Sequence, residues 1–146
     1  MPDPKDLGAE AWWLMFELFK ATKRERFGIA QEYRLSPMQL MALGSLEPGR
    51  ELPMSALADQ LFCDASNVTG IVDRLETRGL IERRPARHDR RVKLLALTEE
   101  GARLREEATR RMHEPPPEVA ALSRADKRAL RDILKRALAQ RGAAAA

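Results

Sequence analysis

The stretch that decides the fold runs from Asp64 to Thr98, DASNVTGIVDRLETRGLIERRPARHDRRVKLLALT. Val68, Ile71, Val72 and Leu75 recur at i, i+3, i+4 and i+7, which is one face of an amphipathic helix. Asp64 stands where an N-cap is wanted, and Gly79 stands at the C-terminal stop. With the apolar set turned inward, the other face carries Ser66, Asn67, Thr69, Gly70, Asp73, Arg74 and Thr77. Short polar groups and a guanidinium of this kind suit base edges and phosphates in a major groove, where a recognition helix presents its N-terminal residues. A polar helix face also occurs as plain solvated surface, so on its own this one leaves both readings open.

After Gly79 the chain reads as a strand, Leu80 to Arg84, and returns as a second strand, Val92 to Leu97. Between them Pro85 to Arg91 forms a hairpin tip that projects basic side chains. A hairpin directly after a recognition helix is a wing, and helix and wing together reach adjacent grooves. Charge supports this. From Arg83 to Lys93 there are six basic residues (Arg83, Arg84, Arg87, Arg90, Arg91, Lys93) and one acid (Asp89), a local net of +5 in a chain of net +4. Positive charge confined to one loop of a near-neutral body points to a polyanion.

Upstream, Ser55 to Phe62 reads as a helix with Leu57, Ala58 and Leu61 buried, preceded by a short strand at Leu52 to Met54. Helix, turn and the helix after Asp64 make a helix-turn-helix. Ser36-Pro37-Met38-Gln39 is a further helix start, with serine at the cap, proline at the first position and glutamine placed to close a capping box. Pro48-Gly49 ends that helix.

Residues 7–33 read as one long helix. From Ala11 to Phe19 its only charge is Glu17, so apolar surface wraps most of the circumference, with Trp12, Phe16 and Phe19 on one face and Trp13 and Leu14 extending it. Such a helix is expected to pack on its own chain on one side and on a second subunit on another, by C2 symmetry. Downstream, Thr98 opens a mostly exposed helix with a narrow stripe of Leu104, Ala108 and Met112 and i, i+4 pairs Glu99/Arg103, Glu106/Arg110 and Glu107/Arg111. Pro115-Pro116-Pro117 ends it, and a last helix begins near Ser123, with the first helix as its expected partner and frayed terminal alanines.

One domain is the expectation for 146 residues, 44% of them apolar and 33% charged. The amino terminus shows no basic leader followed by an apolar run, and no stretch approaches a membrane span. One cysteine excludes an internal disulfide framework, so a cytoplasmic protein is expected. Enzyme readings fare badly. The chain has no Gly-rich phosphate loop, no cysteine pair, and only His88 and His113 for metal or base chemistry, in different elements. No catalytic residues, metal or cofactor are expected.

The run Asp89-Arg90-Arg91-Val92-Lys93-Leu94-Leu95-Ala96-Leu97-Thr98 resembles the wing signature of the MarR family of bacterial transcription regulators, an Asp-x-Arg followed after five residues by Leu-Thr. Asn67 to Glu76 and Arg78 to Ile81 also resemble that family's recognition helix and its exit. The resemblance covers almost the whole chain. It implies a mainly α fold with a small β-hairpin wing (α+β): a winged helix-turn-helix lobe at residues 36–98, flanked by dimerisation helices at 7–33 and 118–141 within a single domain, 1–146.

It also implies a homodimeric transcriptional regulator, more often a repressor, that binds double-stranded DNA at a pseudo-palindromic operator. Arg91 is then expected in the minor groove, with Asp89 orienting its guanidinium by a charge-assisted pair. Arg87 and Arg90 are expected on phosphates, and Ser66, Asn67, Thr69 and Arg74 in the major groove. Many members respond to small aromatic ligands, for which Trp12, Trp13, Phe16 and Met41 are the residues at hand; simple core and dimer packing is the other account of those four. Cys63 falls at the helix-turn-helix turn, away from the first-helix cysteine of peroxide-sensing members, and reads as a packing residue. The competing functional class is a winged-helix protein-interaction module without DNA binding.

Overall fold

The structure is a computed structural model and describes residues 6–144, with side chains through residue 140. The readings that touch residues 1–5, 145 and 146, at the amino terminus and in the final alanines, lie outside the described residues. The chain divides into two compact units, 1–113 and 114–146.

The first unit begins with α1 (Leu7–Ala21) and α2 (Lys23–Glu32). Residues 7–33 are therefore two helices and not one. The break is local chemistry at Thr22: its hydroxyl donates to the Phe19 carbonyl at 3.0 Å, and Arg26 Nη2 donates to the same oxygen at 2.6 Å. A side chain that takes a helical carbonyl competes with the backbone ladder and bends the helix. α1 buries none of its residues within the chain, and Trp12 stays 70% exposed.

Three further helices build the lobe. α3 (Pro37–Ser45) starts at the expected capping box: Ser36 Oγ accepts from Gln39 N–H at 3.1 Å, and Gln39 Oε1 accepts from Ser36 N–H at 2.9 Å. After β1 (Leu52–Pro53) come α4 (Met54–Leu61) and α5 (Ala65–Thr77). The turn between α4 and α5 is made by Phe62 in the left-handed region, φ 51°, with Phe62 N–H donating to Asp59 O and Cys63 N–H to Ala58 O. That is a Schellman stop without glycine. α5 ends in the same motif with a glycine: Gly79 has φ 68°, its N–H reaches Glu76 O, and Leu80 N–H reaches Leu75 O at 3.0 Å.

The hairpin consists of β2 (Ile81–Pro85) and β3 (Lys93–Leu97), antiparallel, with Ile81 opposite Leu97 and Pro85 opposite Lys93. β1 pairs on the other edge of β3, giving the order β1-β3-β2. Leu43, Leu46, Leu57, Val68, Val72, Leu75, Leu80, Ile81 and Leu95 are the large side chains that close the core. Ile71, expected fully inward, is only half-buried at the edge of this core. The fold is a mainly helical winged helix-turn-helix with a small antiparallel sheet.

α6 (Glu99–Met112) is less of a bystander than its charge suggests. Gly101 and Ala108 are buried, and Leu104 and Met112 pack against the core. Arg103 pairs with Glu100, and Arg111 reaches both oxygens of Glu32 on α2, at 2.8 and 3.3 Å. The Arg111 contact is a matter of reach, since a long guanidinium beside a second helix finds a carboxylate there.

The second unit holds α7 (Pro117–Ala120) and α8 (Arg124–Ala144). Ser123 caps α8: its Oγ accepts from Asp126 N–H at 3.1 Å and donates to the Asp126 carboxylate. Ile133 and Leu138 remain exposed on this helix.

Gly101 is required by a close approach. A Cβ there meets the Leu80 carbonyl oxygen at 1.8 Å, whereas a Cβ on Gly70, in α5, meets nothing within 4 Å. Gly101→Ala is expected to destabilise the fold by about 3 kcal/mol through overpacking. Gly70→Ala is expected to stabilise it by up to about 1 kcal/mol through helix propensity. Urea denaturation of the two variants beside the wild type checks both signs.

Candidate nucleic-acid interface

The exposed face of α5 starts at its cap. Asp64 Oδ1 accepts from the Asn67 N–H at 2.8 Å and from the Ser66 hydroxyl at 2.7 Å, while Asn67 Nδ2 donates to Asp64 Oδ2 at 3.2 Å. One carboxylate thus satisfies the helix end and also pins the two side chains that follow it. The Asn67 N–H first, and the Ser66 hydroxyl next, hold the Asp64 carboxyl below its usual range. Thr69 Oγ1 donates to the Ala65 carbonyl at 2.8 Å and keeps its lone pairs outward. Ser66, Asn67, Thr69 and Arg74 are all exposed, on the face opposite the buried Val68, Val72 and Leu75.

Two grooves flank Arg74. One, of about 240 Å³, lies between the start of α3 and α5, with Ser36 and Gln39 on one wall and Ser66, Asn67 and Gly70 on the other. The second, of about 460 Å³, continues past Arg74 to Thr77, Arg78 and Arg34. Arg78 Nη1 donates to the Arg34 carbonyl at 2.7 Å, and Arg34 itself has φ 53°. The start of α3 therefore borders the α5 face. Sequence reading missed this, since only contact between two separate helices reveals it.

The wing tip is held by backbone bonds, Ala86 N–H to Val92 O and Val92 N–H to Asp89 O, each 3.0 Å. The Asp89 Oδ1 accepts from the backbone N–H of Arg91 at 2.9 Å, and no ion pair between Asp89 and the Arg91 guanidinium is present among the described residues. A short aspartate side chain two residues upstream reaches the N–H of its own turn more readily than the end of a long arginine. Arg87, Arg90 and Arg91 are exposed at this tip.

The six basic residues counted from sequence are not equivalent. Arg83 Nη1 contacts Glu76 Oε2 at 2.5 Å, and Nη2 contacts Asp73 Oδ1. Arg84 pairs with Glu82 and, at 3.2 Å, with Glu51. Burial works against the charge of Arg83, but its carboxylate partners outweigh burial and hold its pKa above the ordinary value. Arg87, Arg90, Arg91 and Lys93 have no ion pair among the described residues.

The four aromatic-pocket candidates are exposed, Trp12, Trp13 and Phe16 on α1 and Met41 on α3. None of them lines either groove beside Arg74. Cys63 is half-buried against the core, its thiol donating to the Leu61 carbonyl. Among the described residues no cluster of histidine, cysteine or carboxylate has the makings of a metal site, and no helix is long and apolar enough to cross a membrane.

A hairpin appended to a helix-turn-helix, with free cations at its tip and a polar helix face beside it, defines a winged helix-turn-helix protein. The family model for the MarR family matches residues 35–92. The HTH-type transcriptional repressor MdtR of Bacillus subtilis is 37% identical over 84 residues, which span 58% of this chain and 54% of that protein, about half its length. The organic hydroperoxide resistance transcriptional regulator of the same organism is 27% identical over 106 residues, 73% of this chain and 72% of that protein. A MarR family protein from Bacillus stearothermophilus superposes with a TM-score of 0.79 at 23% identity, covering 97% of this chain and 99% of that one. The F27L mutant of MepR from S. aureus, bound to an oligodeoxyribonucleotide, superposes at 0.63 and 22% identity, covering 89% and 96%. Over residues 35–92 the chain is similar to the MarR family, and its fold is that of the MarR family protein from Bacillus stearothermophilus. The curated relatives it matches are transcriptional regulators, not enzymes.

The Asp64 cap has a definite pH signature. A carboxyl depressed in the folded state lends its full stability above its unfolded value, near 3.8, and loses it as pH falls through the lower folded value. The protection factor of the Asn67 amide in hydrogen exchange is therefore expected to drop as pH falls below about 4, and Asp64→Asn, which keeps an acceptor without a titrating group, is expected to remove that dependence. A flat profile in the wild type contradicts the assigned cap.

Proposed function

We propose that this chain is a sequence-specific DNA-binding transcriptional regulator, a cytoplasmic repressor acting as a homodimer on a pseudo-palindromic operator. The observation that carries the reading is the wing: Arg87, Arg90, Arg91 and Lys93 lack internal counter-charges among the described residues, beside a capped helix whose exposed face offers Ser66, Asn67, Thr69 and Arg74. A cation without a partner in the protein neutralises a phosphate without first breaking an ion pair, and releases a condensed counterion in doing so. The name of MdtR as a repressor and the oligonucleotide on MepR support the same direction.

In this reading α5 enters the major groove, Arg91 the minor groove, and Arg87 and Arg90 meet phosphates. Asp89 serves the wing by fixing the Arg91 backbone, so the tip presents its guanidinium from a defined turn. Residues 7–33 and 118–141 supply the dimer contacts, and the exposed apolar side chains of α1 support that assignment. Two lobes then read half-sites about one helical turn apart. A small aromatic effector held by Trp12, Trp13, Phe16 and Met41 belongs to the same proposal. Their exposure in the single chain suits a pocket that a second copy completes.

Genomic fragments selected by the protein define the operator for the test. Arg91→Ala is expected to cost about 1–3 kcal/mol of operator binding, with the dimer intact in sedimentation equilibrium. Asp89→Ala is expected to weaken binding in the same direction and by less. Undiminished operator affinity for Arg91→Ala sinks the wing assignment, and no duplex binding by the wild type at low salt leaves a protein-interaction module.

A further inference from the structure

We propose that Arg83 is a positioning residue for the DNA-reading surface: it covers the carboxylates of Asp73 and Glu76 on α5 and ties that helix to β2, without touching DNA itself. The inference rests on the DNA-binding reading above and assigns a task to a residue that a charge count places among the DNA contacts.

The geometry is a three-point clamp. The Arg83 backbone N–H donates to Glu76 Oε1 at 3.1 Å, Nη1 reaches Glu76 Oε2 at 2.5 Å, and Nη2 reaches Asp73 Oδ1. The Arg83 side chain is only 22% exposed, while Arg87, Arg90 and Arg91 at the tip lie open. A guanidinium with both terminal nitrogens committed to carboxylates, and mostly covered, is poorly placed to meet a phosphate.

What the clamp prevents is repulsion. Asp73 precedes Arg74 in α5, lines the groove that runs past Arg74, and is exposed. An unpaired carboxylate there would stand on the surface proposed to meet the phosphate backbone, where like charges oppose each other. With Arg83 in place the trio carries a net charge of −1 in place of the −2 left by the two acids alone. The second consequence is angular. Glu76 sits in the last turn of α5 and Arg83 mid-strand, so the clamp fixes the helix against the first strand of the wing and thereby one groove-reading element against the other. Because the Glu76 bond to the Arg83 backbone N–H does not need the arginine side chain, the hairpin keeps one of its anchors when that side chain is replaced.

The test uses the full chain and a labelled random-sequence duplex over a salt series. Arg83→Met, which keeps the aliphatic stem, is expected to weaken low-salt binding roughly tenfold, with the salt slope unchanged. Adding Asp73→Asn to that variant removes the uncovered carboxylate and is expected to bring affinity back to within about threefold of wild type. Arg84→Met removes the same formal charge from the next residue, whose partners Glu51 and Glu82 lie off α5, and is expected to cost less than about threefold. A salt slope lowered by about 1 in Arg83→Met marks a direct phosphate contact and overturns the proposal, as does an Arg83→Met/Asp73→Asn double variant as weak as the single. Should Arg83→Met not fold, Arg83→Lys spans only one of the two carboxylates: an intermediate loss recovered by Asp73→Asn supports the clamp, and wild-type affinity overturns it. A wild-type chain that ignores the duplex at low salt overturns the DNA reading and this proposal together. A wild-type chain that binds, with the Arg83 outcomes against expectation, overturns this proposal alone.

Discussion

The Leu80 carbonyl is the point on which the lobe turns. It follows the left-handed Gly79 that ends α5, it accepts the Thr98 N–H at 3.1 Å, and it lies against the Cα of Gly101 in the first turn of α6. Thr98 adds a second tie through its hydroxyl, which donates to the Gly79 carbonyl at 2.6 Å, while the same oxygen accepts from Gly101 N–H at 3.0 Å to cap α6. Three elements that are far apart in their roles thus share one small junction: the end of the polar helix, the base of the wing and the start of the helix that leads away. Since Gly101 admits no side chain there, α6 approaches the hairpin base more closely than any other residue would permit. Wing and helix inherit their relative placement from this packing before any charge at the tip matters.

Charge then sorts itself around that frame. The arginines nearest the junction, Arg83 and Arg84, are on a strand flanked by acids and spend their charge inside the protein. Those at the tip, where no other element comes close, keep theirs. Exposed ion pairs contribute little to stability, so the inner pairs matter more for where they leave carboxylates than for the energy they supply. The same strand thus carries two populations of arginine, and distance from α5 separates them.

Much of this was legible in the sequence because caps and periodicity are local. Ser36 with Gln39, Asp64 and Gly79 each act within a few residues, and each took the predicted place. What stayed hidden depends on partners distant in the chain or on residues doing another's work. Thr22 breaks a helix by taking a carbonyl that threonine does not take in every helix. Phe62 and Arg34 take left-handed conformations usually left to glycine or asparagine, and Phe62 does so at 97% exposure, with nothing packed on it to announce the turn. Nothing near Gly101 in the sequence announces the Leu80 carbonyl that a Cβ there would meet. The Asp89 contact with the Arg91 N–H depends on the turn that brings the two together. In the candidate interface, residue identity on α5 and at the tip was open to reading, whereas the groove shared with the start of α3 and the loss of Arg83 and Arg84 to internal pairs required three dimensions.

The first helix closes the argument from the opposite side. A helix of 15 residues is marginal alone in water, and most helices in proteins owe their stability to a buried face. α1 buries no residue within this chain, yet it carries two tryptophans and two phenylalanines. Its own cation–π contacts, Lys20 over Phe16 and Arg26 over Phe19, cover only parts of two rings. In the proposed dimer that apolar face is what a second copy would bury, and the spacing of two winged lobes would follow from an interface that the isolated chain does not contain. In the proposed reading one lobe meets one half-site, and the reading of two together would depend on the apolar face of α1.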